Sequence, residues 1–288
     1  MNSSFLIPHS SFHLGLIGYP LGHSLSPKIH TAALKACGLD GSYSLFPIPP
    51  EDTQALKDLL TRIRTGELHG LNVTIPHKQN VIPLLDELTS TAKAIGAVNT
   101  IYLRENKLIG DNTDAAGFLA DLKKFTGNGK LGNRELEIGK SALVLGAGGS
   151  ARAVVYALLN DGWNVTLAAR RIEQAQQLAQ SFPNYQLLFT NLLDLRPSTF
   201  NLIINSTPLG MTPNTDQSPL PENTTLAKDT VIYDLVYNPR ETKLVKDARA
   251  QGLSATTGLG MLVEQAALAF ELWTGHNPPR EILHTAVE

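Results

Sequence analysis

The chain has 288 residues, 42% of them hydrophobic and only 17% charged, with 24 Lys and Arg against 26 Asp and Glu for a net charge of −2. That length suits one large domain or two ordinary ones with a sizeable core, and the low charge excludes a disordered polyelectrolyte. Without a basic stripe, a polybasic run or an apolar run near the ~18–20 residues of a spanning helix, neither nucleic acid nor membrane is an expected partner. The first basic residue is Lys28, so no signal peptide is expected, and the single Cys37 cannot form an internal disulfide. A cytoplasmic protein is the expectation.

Residues 1–13 are rich in Ser and His without periodicity and read as a loose tail. Leu14–Gly18 reads as a short buried strand, and Ser26-Pro27 opens a helix through about Cys37, Ser as cap and Pro in the first turn. Ser42–Ile48 is a second strand, and Leu56, Leu59, Leu60 and Ile63 make Glu51–Arg64 helical. Leu71–Ile75 alternates with period two, placing Asn72 and Thr74 on one face, and Pro76 ends that strand before a helix. Val98–Leu103 and Leu108–Asn112 form a strand pair around Arg104–Asn106. Strands alternating with helices at this spacing indicate an α/β architecture with a mainly parallel sheet.

A second block begins near Ala115. A polar, glycine-rich link at Gly127–Gly139 precedes candidate strands at Ser141–Leu145, Asn164–Ala169, Leu202–Asn205 and Val231–Leu235, with helices at Glu173–Ala179, Glu241–Gln251 and Met261–Trp273. Pro213–Asn223 reads as a surface loop. Strand Leu143–Leu145 runs into Gly146-Ala147-Gly148-Gly149-Ser150-Ala151 and then a helix. Gly146 permits a tight turn, Gly148 lets a pyrophosphate approach the backbone, and Ala151 lets helix pack on strand. The same pattern also serves a bare strand-to-helix turn. An NAD site usually has an acid after the next strand; here stand Ala169-Arg170-Arg171. A guanidinium attracts a 2′-phosphate, which favours NADP, the bland alternative being two solvated arginines.

Three polar stretches sit at strand-to-helix junctions of the first block: Ser24–Pro27, Asn72–Lys78 and Asp111–Asp114. In parallel sheets such junctions gather at the carboxyl ends of the strands, where ligands bind. Hydroxyls, amides, one ammonium and one carboxylate suit a small polyhydroxylated acid. Lys78 lies just inside a helix N-terminus, whose dipole disfavours an ammonium and so suits a proton shuttle. Asp114 can pair with Lys78 or accept from a substrate hydroxyl. Singly, Ser24, Ser26 and Asp114 also read as helix caps and Lys78 as a solvated lysine. The eight histidines and Cys37 show no metal-ligand spacing, so no metal is expected.

Gly22–Pro27, Asn72–Pro76, Lys78, Gly96–Thr100, Gly110–Asp114, Gly146–Arg152, Gly258–Val263 and Gln265 together resemble the shikimate dehydrogenase family, in its order and from about Leu14 onward. The resemblance implies reversible, NADP-dependent reduction of 3-dehydroshikimate to shikimate, in the pathway to chorismate and the aromatic amino acids. It implies two domains with a cleft between them: an α/β substrate domain (14–114 plus 260–288) and a Rossmann-type NADP domain (115–259). Ser24 and Ser26 would take the substrate carboxylate, and Thr74, Asn99, Asp114 and Gln265 its hydroxyls, with Asn72 and Tyr237 alongside. Lys78 matches the catalytic lysine and Asp114 its partner. Residues 146–151 would hold the pyrophosphate, Arg170 the 2′-phosphate, and Leu235 and Gly258 the nicotinamide end.

Two departures stand out: Ala169-Arg170-Arg171 replaces the family's frequent Asn-Arg-Thr, and Ala115 replaces a common glycine. A quinate or quinate/shikimate dehydrogenase is the nearest rival, decided at Ser24 and Ser26. A catalytically silent NADP-binding sensor is a remoter one, which would not need Lys78 and Asp114. A monomer or homodimer is expected.

Overall fold

The structure, a computed structural model, describes residues 11–127, 130–131, 134–135, 140–185, 187–190, 197–222 and 224–288. It opens with β1 (Phe12–Gly18), α1 (Ser26–Ala36), β2 (Gly41–Pro47), α2 (Thr53–Arg64), β3 (Gly70–Val73) and α3 (His77–Asn80). Then come β4 (Glu87–Leu88), α4 (Ser90–Ile95), β5 (Thr100–Arg104) and β6 (Lys107–Asp111). The expected tail is therefore too long: Phe12 and His13 already pair with Gly41 and Ser42, and residues 1–10 lie outside the described part.

These strands form one sheet in the order β2-β1-β3-β5-β6-β4. β1 runs parallel to β2 and β3, and β4 to β6, whereas β5 is antiparallel to both its neighbours. The sheet is mixed because β5 and β6 are a hairpin. Glu105 and Asn106, at φ 52° and 61°, take the left-handed conformation that a two-residue hairpin turn demands. β3 spans Gly70–Val73, short of the expected Ile75. Bonding to the β1 segment nevertheless continues before Pro76, from the Thr74 N–H to the Ile17 carbonyl and from the Tyr19 N–H to the Ile75 carbonyl, both 2.9 Å.

α2 starts where the Asp52 side chain accepts from the Ala55 N–H at 3.0 Å. Its Leu56, Leu59, Leu60 and Ile63 are buried with Leu71, Val73, Ile101 and Leu108 in one core. Each such side chain contributes about 1.5–3 kcal/mol, so this amphipathic face anchors the sheet on which the polar stretches sit.

The chain continues through α5 (Asp114–Phe125), β7 (Lys130–Leu131), β8 (Arg134–Glu135), β9 (Ser141–Leu145), α6 (Gly149–Asn160), β10 (Asn164–Ala168) and α7 (Ile172–Gln180). It ends with β11 (Leu188–Thr190), β12 (Leu202–Asn205), β13 (Val231–Asp234), α8 (Lys243–Ala250), β14 (Ala255–Thr257), α9 (Leu259–Thr274) and α10 (Arg280–Thr285). The expected link at Gly127–Gly139 lies largely outside the described residues, and its described part includes the antiparallel β7–β8 pair. The second large sheet has the order β11-β10-β9-β12-β13-β14 with every pair parallel. Counted from β9 as the first strand, this is the 3-2-1-4-5-6 order of a doubly wound dinucleotide-binding sheet. β12 and β13 are buried at every position, as strands covered on both faces must be.

The described residues fall into two compact units, one running to Thr113 and resuming at Val263, the other from Asp114 to Leu262. The expected divisions at 114/115 and 259/260 thus move to 113/114 and 262/263.

Candidate active site

In the first unit, α1 begins without a capping bond from its N-cap residue, Leu25. The expected capping by Ser26 is replaced by a local turn in which the Ser24 Oγ accepts from the Ser26 N–H at 3.2 Å. Ser26 itself is buried in the first helical turn. Two hydroxyls beside a helix N-terminus are a chemically sound carboxylate cradle.

A connected set of amides lies at the neighbouring strand ends. The Asn72 Oδ1 accepts from the Tyr43 hydroxyl at 2.7 Å, and its Nδ2 donates to the Asn99 carbonyl at 3.3 Å. The Asn99 Nδ2 donates to the Thr113 Oγ1 at 2.8 Å and the Gln265 Oε1 at 3.2 Å, while its Oδ1 accepts from the Thr113 N–H at 2.8 Å. The Thr113 hydroxyl donates to the Gln265 carbonyl at 3.0 Å. The structure therefore joins Asn72, Asn99 and Gln265, three residues far apart in sequence. It adds two residues that sequence reasoning missed, Thr113 and Tyr43. Thr113 lay inside a motif already marked, between Asn112 and Asp114; nothing local distinguished Tyr43 from any other strand residue.

Lys78 is buried, 8% exposed, and its carbonyl accepts from the Val98 N–H at 2.8 Å. It sits on α3, a helix of four residues, so the expected dipole effect has only a single turn behind it. Neighbouring His77 is tied down by its Nε2 to the Ile48 carbonyl at 2.7 Å. Thr74 lies just beyond β3 and is half-buried. Asp114, 4% exposed, follows Thr113 in the chain and opens α5 in the second unit.

In the second unit the glycine loop has the properties that a dinucleotide requires. Gly146 has φ +111°, and a Cβ there would lie 2.6 Å from the Ser206 Oγ. A Cβ at Gly148 would meet nothing within 4 Å among the described residues. Gly148 is the N-cap of α6 and offers that helix no side-chain bond. The first N–H groups of α6 can therefore serve a phosphate through open backbone at Gly148, flanked by Ala147, Gly149 and Ser150. Ala151 is fully buried, the close helix-on-strand contact expected of it. Arg170 and Arg171 are exposed, just past buried Ala168 and Ala169 at the end of β10. These residues fit an NADP molecule.

Leu235 lies just beyond β13, not within it, because the strand ends at Asp234. A Cβ on Gly258 would approach the Leu235 carbonyl oxygen to 2.4 Å, so these two expected residues are in direct contact and the glycine is required. Tyr237 is half-buried, and burial raises its phenol pKa. Ser206 and Thr207, packed against Gly146, were not anticipated; the Asn205-Ser-Thr-Pro208 turn after a buried strand was the available signal. Among the described residues no three His, Cys, Asp or Glu side chains are placed to hold a metal ion, and no helix is long and apolar enough to cross a membrane.

Family models match three stretches: a shikimate dehydrogenase substrate-binding domain at residues 16–101, shikimate/quinate 5-dehydrogenase at 130–244, and a shikimate 5′-dehydrogenase C-terminal domain at 258–288. The shikimate dehydrogenase (NADP(+)) of Carboxydothermus hydrogenoformans is 42% identical over 279 residues, 95% of each chain. That of Salinibacter ruber is 43% identical over 281 residues, 94% of this chain and 95% of the other. A crystal structure of shikimate 5-dehydrogenase from Thermus thermophilus, in complex with NADP(H) and shikimate, superposes with a TM-score of 0.83 at 38% identity, covering 96% of this chain and 98% of that one. At this identity and coverage, this chain belongs to the shikimate dehydrogenase family.

Proposed function

We infer that the protein catalyses the reversible, NADP-dependent reduction of 3-dehydroshikimate to shikimate, a step towards chorismate and the aromatic amino acids. The observation that carries this reading is identity above 40%, over nearly the full length, to proteins named for that activity with that cofactor. The geometry supports it with a polar amide network in the first unit and an NADP-compatible loop in the second. The first unit, through Thr113 and from Val263 onward, acts as the substrate domain, and the second, Asp114–Leu262, as the NADP domain.

In this reading Ser24 and Ser26 receive the carboxylate, and Asn72, Thr74, Asn99, Asp114, Tyr237 and Gln265 orient the ring and its hydroxyls. The hydrogen bonds among Asn72, Asn99, Thr113 and Gln265 hold those amides in place before substrate arrives, which lowers the entropy cost of orientation. The glycine loop receives the pyrophosphate, Arg170 the 2′-phosphate, and Leu235 and Gly258 border the nicotinamide. NADPH, when bound, supplies the hydride. Lys78 gives a proton to the oxygen that develops charge at C3 and stabilises it before transfer. Asp114 keeps Lys78 and a ring hydroxyl in register. The protein is read as a cytoplasmic monomer or homodimer without nucleic-acid or membrane partners, in keeping with its balanced charge.

Initial rates with shikimate or quinate, each with NADP or NAD, test the reading. Shikimate with NADP should dominate in kcat/KM. Dominance of quinate or of NAD would overturn the assignment of the serines or of Arg170, and absence of turnover with every pair would favour an NADP-binding sensor.

A further inference from the structure

The second unit contains a buried carboxylate with no role in the reading above. Asp234, the last residue of β13, is fully buried, and among the described residues no basic side chain pairs with it. Its Oδ1 accepts from the Asn205 Nδ2 at 2.8 Å and the Val236 N–H at 3.0 Å; its Oδ2 accepts from the Thr242 hydroxyl at 2.7 Å. A carboxylate buried without a counter-charge is costly unless hydrogen bonds compensate. Here three donors converge on it from three segments.

One of those donors, Asn205, leads to the rim of the glycine loop, and the other two shape the segment that follows β13. The Asn205 Oδ1 accepts from the N–H and hydroxyl of Thr207 at 2.9 and 2.7 Å, and the Thr207 Oγ1 accepts from the Leu209 N–H at 3.2 Å. Between them, the Ser206 hydroxyl donates to the Leu145 carbonyl at 2.7 Å, beside Gly146. On the other side, the bond to Val236 shapes the turn through Leu235, against which Gly258 is packed. Thr242, which caps α8 by accepting from the Val245 N–H at 3.3 Å, closes the segment that holds Tyr237. One carboxylate thus joins the ends of β12 and β13 to the start of α8, and through Asn205 to the Ser206–Thr207 segment beside Gly146.

We propose that Asp234 is a positioning residue for the dinucleotide site: through Asn205, Val236 and Thr242 it fixes Ser206–Thr207 and Leu235–Tyr237 as the two walls that receive the nicotinamide half. The proposal rests on the NADP reading above. Its effect is confined to those walls, because the glycine loop itself is held by β9 and α6, and Arg170 by β10.

The test measures equilibrium binding by titration calorimetry with two probes, NADP+ and 2′,5′-ADP, the second lacking the nicotinamide. Asp234→Ala should weaken NADP+ by about tenfold or more, the scale of lost buried hydrogen bonds to a charged group, and 2′,5′-ADP by less than about threefold. Asp234→Asn can keep the geometry if its NH2 faces the Thr242 oxygen and should bind both probes nearly as the wild type does. Thr242→Val removes one of the three donors, and its loss should fall between the two; it carries the test if Asp234→Ala does not fold. A folded Asp234→Ala or Thr242→Val protein with wild-type affinity for NADP+ would overturn the proposal, as would equal weakening of both probes, which marks a general loosening of the unit. Failure of the NADP reading itself would show separately, as a wild-type protein that binds neither probe.

Discussion

Acid stability is where two buried groups of this chain make opposite and measurable demands. His30, on α1, is fully buried. Its ring stacks on Tyr43 with centroids 4.3 Å apart and planes 2° from parallel, while Phe270 and Trp273 lie at 6.2 and 5.3 Å. Neither ring nitrogen meets hydrogen-bond geometry with a partner among the described residues. Burial pushes its pKa from 6.5 down to about 3, against a smaller upward pull from the Asn72 side chain. Between those values the unfolded chain binds a proton that the folded one refuses, so stability falls as pH drops below 6.5. At about 1.4 kcal/mol per pH unit, descent to pH 5 costs about 2 kcal/mol. Asp234 acts in the other direction. Burial raises its pKa from 3.8 to about 6, opposed by its hydrogen bonds from Thr242, Val236 and Asn205. The folded state then holds a proton that the unfolded state releases, and lowering the pH from 7 to 5 adds about 1.4 kcal/mol.

The two contributions largely cancel in the wild type and separate in variants. His30→Phe keeps a ring against Tyr43 and removes the titration, so on going from pH 7 to 5 it should gain about 2 kcal/mol relative to the wild type. Asp234→Asn should lose about 1.4 kcal/mol over the same interval. Urea unfolding at the two pH values measures both. Trp273 reports the unit that contains His30, and Trp163 the unit that contains Asp234. Comparing each variant's change with pH to the wild type's cancels any constant packing cost, about 1–3 kcal/mol for a larger ring in a full core, and every other carboxylate. A His30→Phe profile parallel to that of the wild type would refute the argument that this imidazole stays neutral in the folded state.

Three further substitutions have defined outcomes. Lys78→Ala should lower kcat by about 10²–10⁴-fold, the usual scale of a proton-transfer contribution, in steady-state assays at saturating substrates; turnover near wild type would remove Lys78 from the mechanism. Arg170→Ala should weaken NADP+ by about 10–100-fold, as expected for a lost charge-assisted contact, with NAD+ nearly unchanged by titration; equal weakening of both would make Arg170 a packing residue. Gly260→Ala puts a Cβ 1.9 Å from the Asp121 Oδ1, displacing the carboxylate that accepts from the Tyr233 hydroxyl at 2.6 Å. It should destabilise the protein by about 1–3 kcal/mol; a thermal midpoint equal to the wild type's would show that the contact relaxes at no cost.

What local pattern dictates was legible in advance. The spacing of Leu56, Leu59, Leu60 and Ile63 marked α2, and the apolar runs ending near Leu145, Ala168 and Asn205 marked strands. The glycines from Gly146 to Gly149 announced a phosphate turn, because their backbone geometry is set within a few residues. The rest depended on pairings that no window along the chain contains. β5 runs against its neighbours because the register of β3 against β5 is settled across the sheet, even though the hairpin turn itself was visible. The start of α5 was marked by the junction at Asp111–Asp114, but its extent to Phe125 was not, because Ala115 and Gly117 in its buried face, beside Phe118 and Leu122, weaken the periodic signal. The amide network needs Asn99 beside Gln265, 166 residues away, and Tyr43 becomes informative only once β2 lies two strands from Asn72. Asp234 is the sharpest case. At the end of Val231–Asp234 an acid reads as an ordinary polar strand terminus, and only the return of Asn205 and Thr242 shows it to be a buried hub. Local pattern therefore marked the turns proposed to meet a ligand, because such turns are short and chemically distinctive. The residues that hold those turns in place stayed hidden, since their partners are chosen by the fold.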